Sequence, residues 1–143
     1  GSVDSNSKTW IFFGTGQYMT QADMSNRDVQ TWYGIRPEET NASTTRANLR
    51  ERTITEQADI SGFIGRNVSA ASPGDMSGRL GWFMDLRVSG SSALGERIVN
   101  PSMIRGDVLL GSTLIPIADA CNPGGDGFIM AVDPFTGARL SRI

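Results

Sequence analysis

Gly81-Trp82-Phe83-Met84-Asp85-Leu86-Arg87-Val88 is the stretch that decides the fold class. Trp82, Met84, Leu86 and Val88 fall on one side of an extended chain, and Phe83, Asp85 and Arg87 on the other. That period-two alternation belongs to a half-buried strand. Working outward, Trp10-Ile11-Phe12-Phe13 stops at Gly14-Thr15-Gly16, and residues 30–35 carry Trp32 and Tyr33 before Arg36-Pro37 halts them. Residues 107–115 and 128–133 read as further β-rich strands bounded by glycine. Helical pattern is scarce: one turn over 22–26, capped by Asp23 or Ser25, and another over 44–49, before an extended run at 50–58. Seventeen glycines and six prolines punctuate the chain as turns. Residues 67–78, rich in Ser, Ala, Gly and Pro, read as an exposed loop. The expected class is all-β, with long loops and at most one or two short helical turns.

The 143 residues fit one domain. Residues 1–8 are small and polar and read as a disordered leader, with Gly1-Ser2 looking like a cloning scar, so the folded domain is expected over 9–143. Thirteen basic against fifteen acidic residues give a net charge of −2, and Lys8 is the sole lysine among the arginines. Without clustered positive charge a nucleic-acid or anionic-membrane partner is disfavoured. No apolar run approaches the roughly 18 residues of a spanning helix, so no membrane insertion by this segment is expected, and no secretion signal is visible in it.

Histidine is absent, which removes histidine-based triads, helical zinc-protease motifs and histidine proton shuttles together. Cys121 is the only cysteine, so an internal disulfide is excluded. It reads as a partly buried thiol, with pairing to a cysteine outside the segment as the other reading. Gly14-Thr15-Gly16 follows a strand, but Met19 stands where a dinucleotide loop needs its third glycine. Asp75, Asp85 and Glu56 are candidate glycosidase carboxylates by type only. Asp119, Asn122 and Asp126 offer oxygen ligands in a glycine-rich loop, without the one-three-five spacing of an EF-type calcium loop. No catalytic, cofactor-binding or metal-binding residue is assigned.

In Ala131-Val132-Asp133-Pro134-Phe135-Thr136-Gly137-Ala138-Arg139-Leu140, a strand ends at Asp133 and Gly137 supplies the positive φ that closes a tight hairpin. Ala-x-Asp-x-x-Thr-Gly also resembles the turn between inner and outer strands of quinoprotein-type β-propeller blades. Those repeats usually continue to a tryptophan that docks between blades; here position 143 is isoleucine.

Several blocks in order resemble the PilY/PilC-type proteins of type IV pili. They are Phe12-Phe13-Gly14-Thr15-Gly16-Gln17-Tyr18-Met19, Gln30-Thr31-Trp32-Tyr33-Gly34-Ile35, Gly81 to Leu86, Glu96-Arg97-Ile98-Val99-Asn100-Pro101, Thr113-Leu114-Ile115-Pro116, and Asp119 to Phe128. Gln17 replaces the family's usual arginine, and Arg36-Pro37 stands where Trp-Asp commonly ends the Tyr-Gly-Ile strand. The resemblance implies a fragment of a modified β-propeller, the C-terminal part, about two to three blades of antiparallel sheet.

It further implies a large exported protein of Gram-negative bacteria at the outer membrane, pilus tip or cell surface. Such proteins act in pilus biogenesis, twitching motility and adhesion. Expected partners are minor pilins or other pilus tip components and host or abiotic surfaces. The family's calcium loops have no counterpart in this segment, so calcium is expected only elsewhere in the parent protein. Trp10, Trp82 and Phe128 are candidate inter-blade residues. A binding module of this kind presents its contacts on loops, which points to Ser72, Asp75, Asp119, Asn122 and Asp126. Two other readings remain: a PQQ-type quinoprotein dehydrogenase fragment, and a carbohydrate-binding propeller module stacking sugars on Trp32 and Tyr33.

Overall fold

The computed structural model describes residues 1–119, 121 and 125–141. Asn122 and Ile143, both singled out above, lie outside the described residues. Among the described residues the architecture is all-β, with one five-residue α-helix, α1 (Gln21–Ser25), and two 3₁₀ turns at Pro37–Glu39 and Arg46–Asn48.

The first sheet has the order β1-β2-β3-β6-β4-β5, with β1 at Ser2–Val3, β2 at Thr9–Gly14, β3 at Thr31–Ile35, β4 at Arg50–Ile60, β5 at Phe63–Val68 and β6 at Gly81–Val88. The second has the order β11-β8-β7, with β7 at Met103–Arg105, β8 at Val108–Ser112 and β11 at Ile129–Val132. A hairpin of β9 (Ile115–Pro116) and β10 (Gly125–Asp126) stands apart as a third, two-stranded sheet. All pairings are antiparallel except β4 with β6, which run parallel.

β6 spans the eight residues that the alternation marks, and Trp82, Met84 and Leu86 turn inward with 0%, 0% and 2% exposure. They meet Leu109, Met130 and Val132 of the second sheet, with Trp10, Trp32 and Ile54, in one core. The outward series is less solvated than the alternation suggests, because Phe83 is also buried. Arg46, from the second 3₁₀ turn, lies over its ring at 4.5 Å.

Four local expectations are corrected. The first eight residues carry β1, which pairs with β2, and Asp4 organises the connection. Its carboxylate accepts hydrogen bonds from the Asn6 and Lys8 amides and from Trp10 Nε1. The indole bond above all holds the Asp4 carboxyl below the usual carboxylate range. The cap of α1 is Thr20, not Asp23 or Ser25; Asp23 is the N3 partner that closes a capping box. Residues 107–115 are two strands rather than one, interrupted where Arg97 and Leu114 exchange backbone hydrogen bonds. Asn67 and Val68 belong to β5 instead of the loop that follows.

Candidate functional site

The expected propeller turn lies where the two large sheets meet. Asp133 accepts at Oδ1 from the Phe135 and Thr136 amides, and its own N–H donates to Ala138 O. The chain then leaves the hairpin: the Arg139 N–H donates to Ser69 O, in the loop after β5. Trp82, from the facing sheet, fills the turn and donates from Nε1 to Pro134 O at 2.8 Å. Gly137 has φ +68°, and a Cβ there would overlap the Trp82 ring. Trp32 packs edge-on against Trp82 at 5.5 Å and covers Gly111 of β8. The tryptophan that docks in the turn therefore comes from β6, far from the chain terminus.

The other two candidate junction residues also cross between sheets. Trp10 meets Phe135 at 5.7 Å, and Phe128 receives the Arg66 guanidinium 3.5 Å from its ring centroid. Arg66 in turn pairs with Glu96 at 2.7 Å, both almost fully buried.

The candidate contact residues divide. Ser72 is exposed at the tip of its loop. Asp75 is committed inward: Arg52, 3% exposed, binds both its carboxylate oxygens and also donates to Thr136 O. These bonds pull the Asp75 carboxyl down to about 2. Asp75 is thus a strut joining loop, β4 and propeller turn. Asp119 is exposed and accepts from the Cys121 amide; Asp126, on β10, is exposed as well. Cys121 is exposed rather than partly buried.

Among the described residues, the carboxylates and rings named for other chemistry are held by neighbouring side chains. Asp85 is bound by Arg46 at 2.6 Å and by Thr31 at 2.7 Å. Burial opposes its ionisation, yet these partners outweigh burial and hold its carboxyl below the usual range. Glu56 accepts from Asn67 on the neighbouring strand. The three carboxylates considered for a glycosidase are therefore each taken by a different partner. Among the described residues no three of His, Cys, Asp or Glu come together as a metal site. Trp32 is fully buried, with Nε1 donating to Ser102 Oγ, and offers no face to a sugar. Tyr33 stacks on Phe13. A cleft of about 860 Å³ lies between β5 and β11, with Arg66, Val68, Ala70, Ala131, Arg139 and Leu140 among its lining residues.

Two surface features escaped the sequence reading. Phe63, 80% exposed, and Ile64 crown the β4–β5 hairpin, whose turn is Ser61-Gly62 with both residues at positive φ. The Ser-Gly dipeptide between β-rich runs was the available signal. Tyr18 and Met19, 43% and 88% exposed, sit on a loop pinned by Arg97. That buried guanidinium donates to the backbone carbonyls of Gln17, Asp23, Asn26 and Gly95. Nothing in the order of residues announces such a clamp, because its acceptors are all main-chain atoms.

Strands stacked in sheets around tryptophan–glycine contacts define this chain as a propeller-like β segment. No family model matches it. It is 40% identical, over 99% of its length, to a type IV pilus biogenesis factor PilY1 homolog of Xylella fastidiosa. It is 30% identical over 92% of its length to the type IV pilus biogenesis factor PilY1 of Pseudomonas aeruginosa PAO1. The crystal structure of the Pseudomonas aeruginosa PilY1 C-terminal domain superposes with a TM-score of 0.72 at 26% identity, covering 94% of this chain and 30% of that one. The chain is a homologue of the C-terminal β-propeller region of PilY1-type proteins. It spans 12% and 13% of the length of these two curated relatives. No helix among its described residues is long and apolar enough to cross a membrane.

Proposed function

We propose that this segment acts, within a larger exported protein, as a non-enzymatic module of type IV pilus biogenesis and tip-associated adhesion. The observation that carries the reading is the end-to-end likeness to proteins named as pilus biogenesis factors. Its partners are minor pilins or other pilus tip components, and host or abiotic surfaces. It works at the outer membrane, pilus tip or cell surface of a Gram-negative bacterium, with no metal or cofactor held by this segment. Recognition falls to its loops: Ser72 and the stretch from Asp119 through Asn122 to Asp126 are the contact candidates. Asp75 serves there by holding its loop in place. The arrangement supports this division, since the three tryptophans are spent on packing the core.

Deleting the gene in its native bacterium and counting surface pili by electron microscopy tests the proposal. Pili should be lost or sharply reduced, and restored by the gene. Normal piliation with normal twitching would overturn it.

A further inference from the structure

Three Asn-x-Ser triplets stand in the chain: Asn41-Ala42-Ser43, Asn67-Val68-Ser69 and Asn100-Pro101-Ser102. In exported proteins Asn-x-Ser is the acceptor signal for N-linked glycans, provided that x is not proline and that the segment lies on the surface. The structure separates the three. Pro101 disqualifies the last, whose Ser102 Oγ already accepts from Trp32 Nε1 at 3.0 Å. The second is built into the sheet: Asn67 lies opposite Glu56 in the β4–β5 ladder and donates from Nδ2 to its carboxylate. Val68 is buried, and Ser69 is tied to the Thr53 backbone by both its N–H and its hydroxyl oxygen.

The first triplet belongs to neither sheet. It lies between the two 3₁₀ turns, and Asn41, Ala42 and Ser43 are all exposed. The hydrogen bonds of this tip are local. The Asn41 N–H donates to Thr44 Oγ1 at 2.9 Å, the Thr44 N–H to Asn41 O at 3.0 Å, and the Ser43 N–H to Asn41 Oδ1 at 2.8 Å. The last of these bears on reactivity. A carboxamide nitrogen is a poor nucleophile because its lone pair is delocalised into the carbonyl. A donor aimed at Oδ1 stabilises the negative charge that gathers on this oxygen as Nδ2 gives up a proton. Among the described residues no acceptor engages Nδ2. Glu39, held by Lys8 at 3.2 Å and Arg36 at 3.4 Å, sets a carboxylate two residues ahead of Asn41. That makes the extended Glu-x-Asn-x-Ser form which bacterial acceptor segments take.

We propose that Asn41 is an N-glycosylation site, which takes an oligosaccharide from a polyprenyl-pyrophosphate donor. Nδ2 attacks the anomeric carbon of the first sugar. The new N–C bond forms as the bond from that carbon to the pyrophosphate oxygen breaks, and the polyprenyl pyrophosphate leaves with the electron pair. The Nδ2 proton passes to a carboxylate base of the transferase, and nothing is oxidised or reduced. The inference rests on the exported address proposed above, because the acceptor must meet its lipid-linked donor outside the cytoplasm. A glycan here hangs from the connection between β3 and β4 and leaves the packed core as it is.

Peptide mass spectrometry on the full-length gene product from its native bacterium tests this, with the protein's location measured in parallel by cell fractionation. Trypsin separates the three triplets onto peptides 28–46, 67–79 and 98–105. Peptide 28–46 should carry the added mass of an oligosaccharide, and the other two should be bare. N41Q and S43A should lose that mass, whereas S43T should keep it. Both Ser43 variants retain the backbone N–H that donates to Asn41 Oδ1, so a difference between them reads the hydroxyl that the transferase requires and not the fold of the tip. A bare peptide 28–46 in exported protein would overturn the proposal and leave the exported address standing. Bare protein confined to the cytoplasm would overturn both. An addition that survives N41Q, or one of equal occupancy on peptide 67–79, would also overturn it.

Discussion

The β4–β5 and β9–β10 hairpins come at equivalent points in chain order, between the second and third strands of the β2–β3–β6 and β7–β8–β11 ladders, and meet opposite fates. β4 is eleven residues long and lays its first half alongside β6, so its hairpin becomes part of the large sheet. Ile54 is fully buried there, and Arg52 anchors both Asp75 and Thr136. β9 has two residues, the second of them Pro116, which has no N–H to extend a ladder. Its partner is Gly125-Asp126, with nothing to bury, and the hairpin stays a separate ribbon. Topology therefore offers each unit a place for a fourth strand, and side chains decide whether that place is taken.

The contact common to both units should be the costliest to break. Trp82→Ala removes the ring that fills the propeller turn and leaves Pro134 O without its donor, at a cost of about 3–5 kcal/mol. A denaturant melt reads this as a large fall in midpoint, and a drop below about 1 kcal/mol would show that the turn holds the sheets without it. The two hairpins should then part company. Ile54→Ala is expected to cost about 2–4 kcal/mol, whereas Ile115→Ala, at a half-buried site, should cost under about 1 kcal/mol. Equal losses would refute the difference in burial that separates them.

The Arg52–Asp75 strut gives the next effect, and it depends on pH. The folded-state pKa of Asp75 lies near 2, below its ordinary value of 3.8. Its stabilisation is therefore complete above pH 3.8 and is lost as pH falls through about 2. Asp75→Asn should cost about 2 kcal/mol at neutral pH and flatten the stability profile between pH 4 and 2. Parallel acid profiles for the two proteins would count against the strut. Smallest of all, Phe63→Thr at the exposed hairpin tip should leave stability within about 0.5 kcal/mol of the parent.

Local chemistry was legible wherever it was dense. β6 is read residue for residue from its alternation, and β2, β3 and β11 lie within a residue or two of where their glycine and proline stops place them. The turn at Asp133 is also plain, because Asp, Pro and Gly each act on their own backbone. β7 escaped because three residues, Met103-Ile104-Arg105, carry too little periodicity to count. Asp75 looked like a solvated loop residue because its partner Arg52 lies more than twenty positions away, on another element. Trp32 and Tyr33 looked like a pair of stacking rings; burial takes Trp32 out of that pair, and Tyr33 stacks on Phe13 instead.

By itself the sequence determined an all-β chain, the positions of its main strands and turns, and its kinship with pilus biogenesis proteins. Those properties rest on period, turn chemistry and ordered motifs, which act over a few residues at a time. Tertiary structure alone decided that Trp82 fills a turn 52 residues away, that Arg97 is satisfied by main-chain carbonyls, and which hairpin joins a sheet. Each of these depends on where distant backbone comes to lie, and a carbonyl or a glycine carries no mark in the sequence of what will be packed against it.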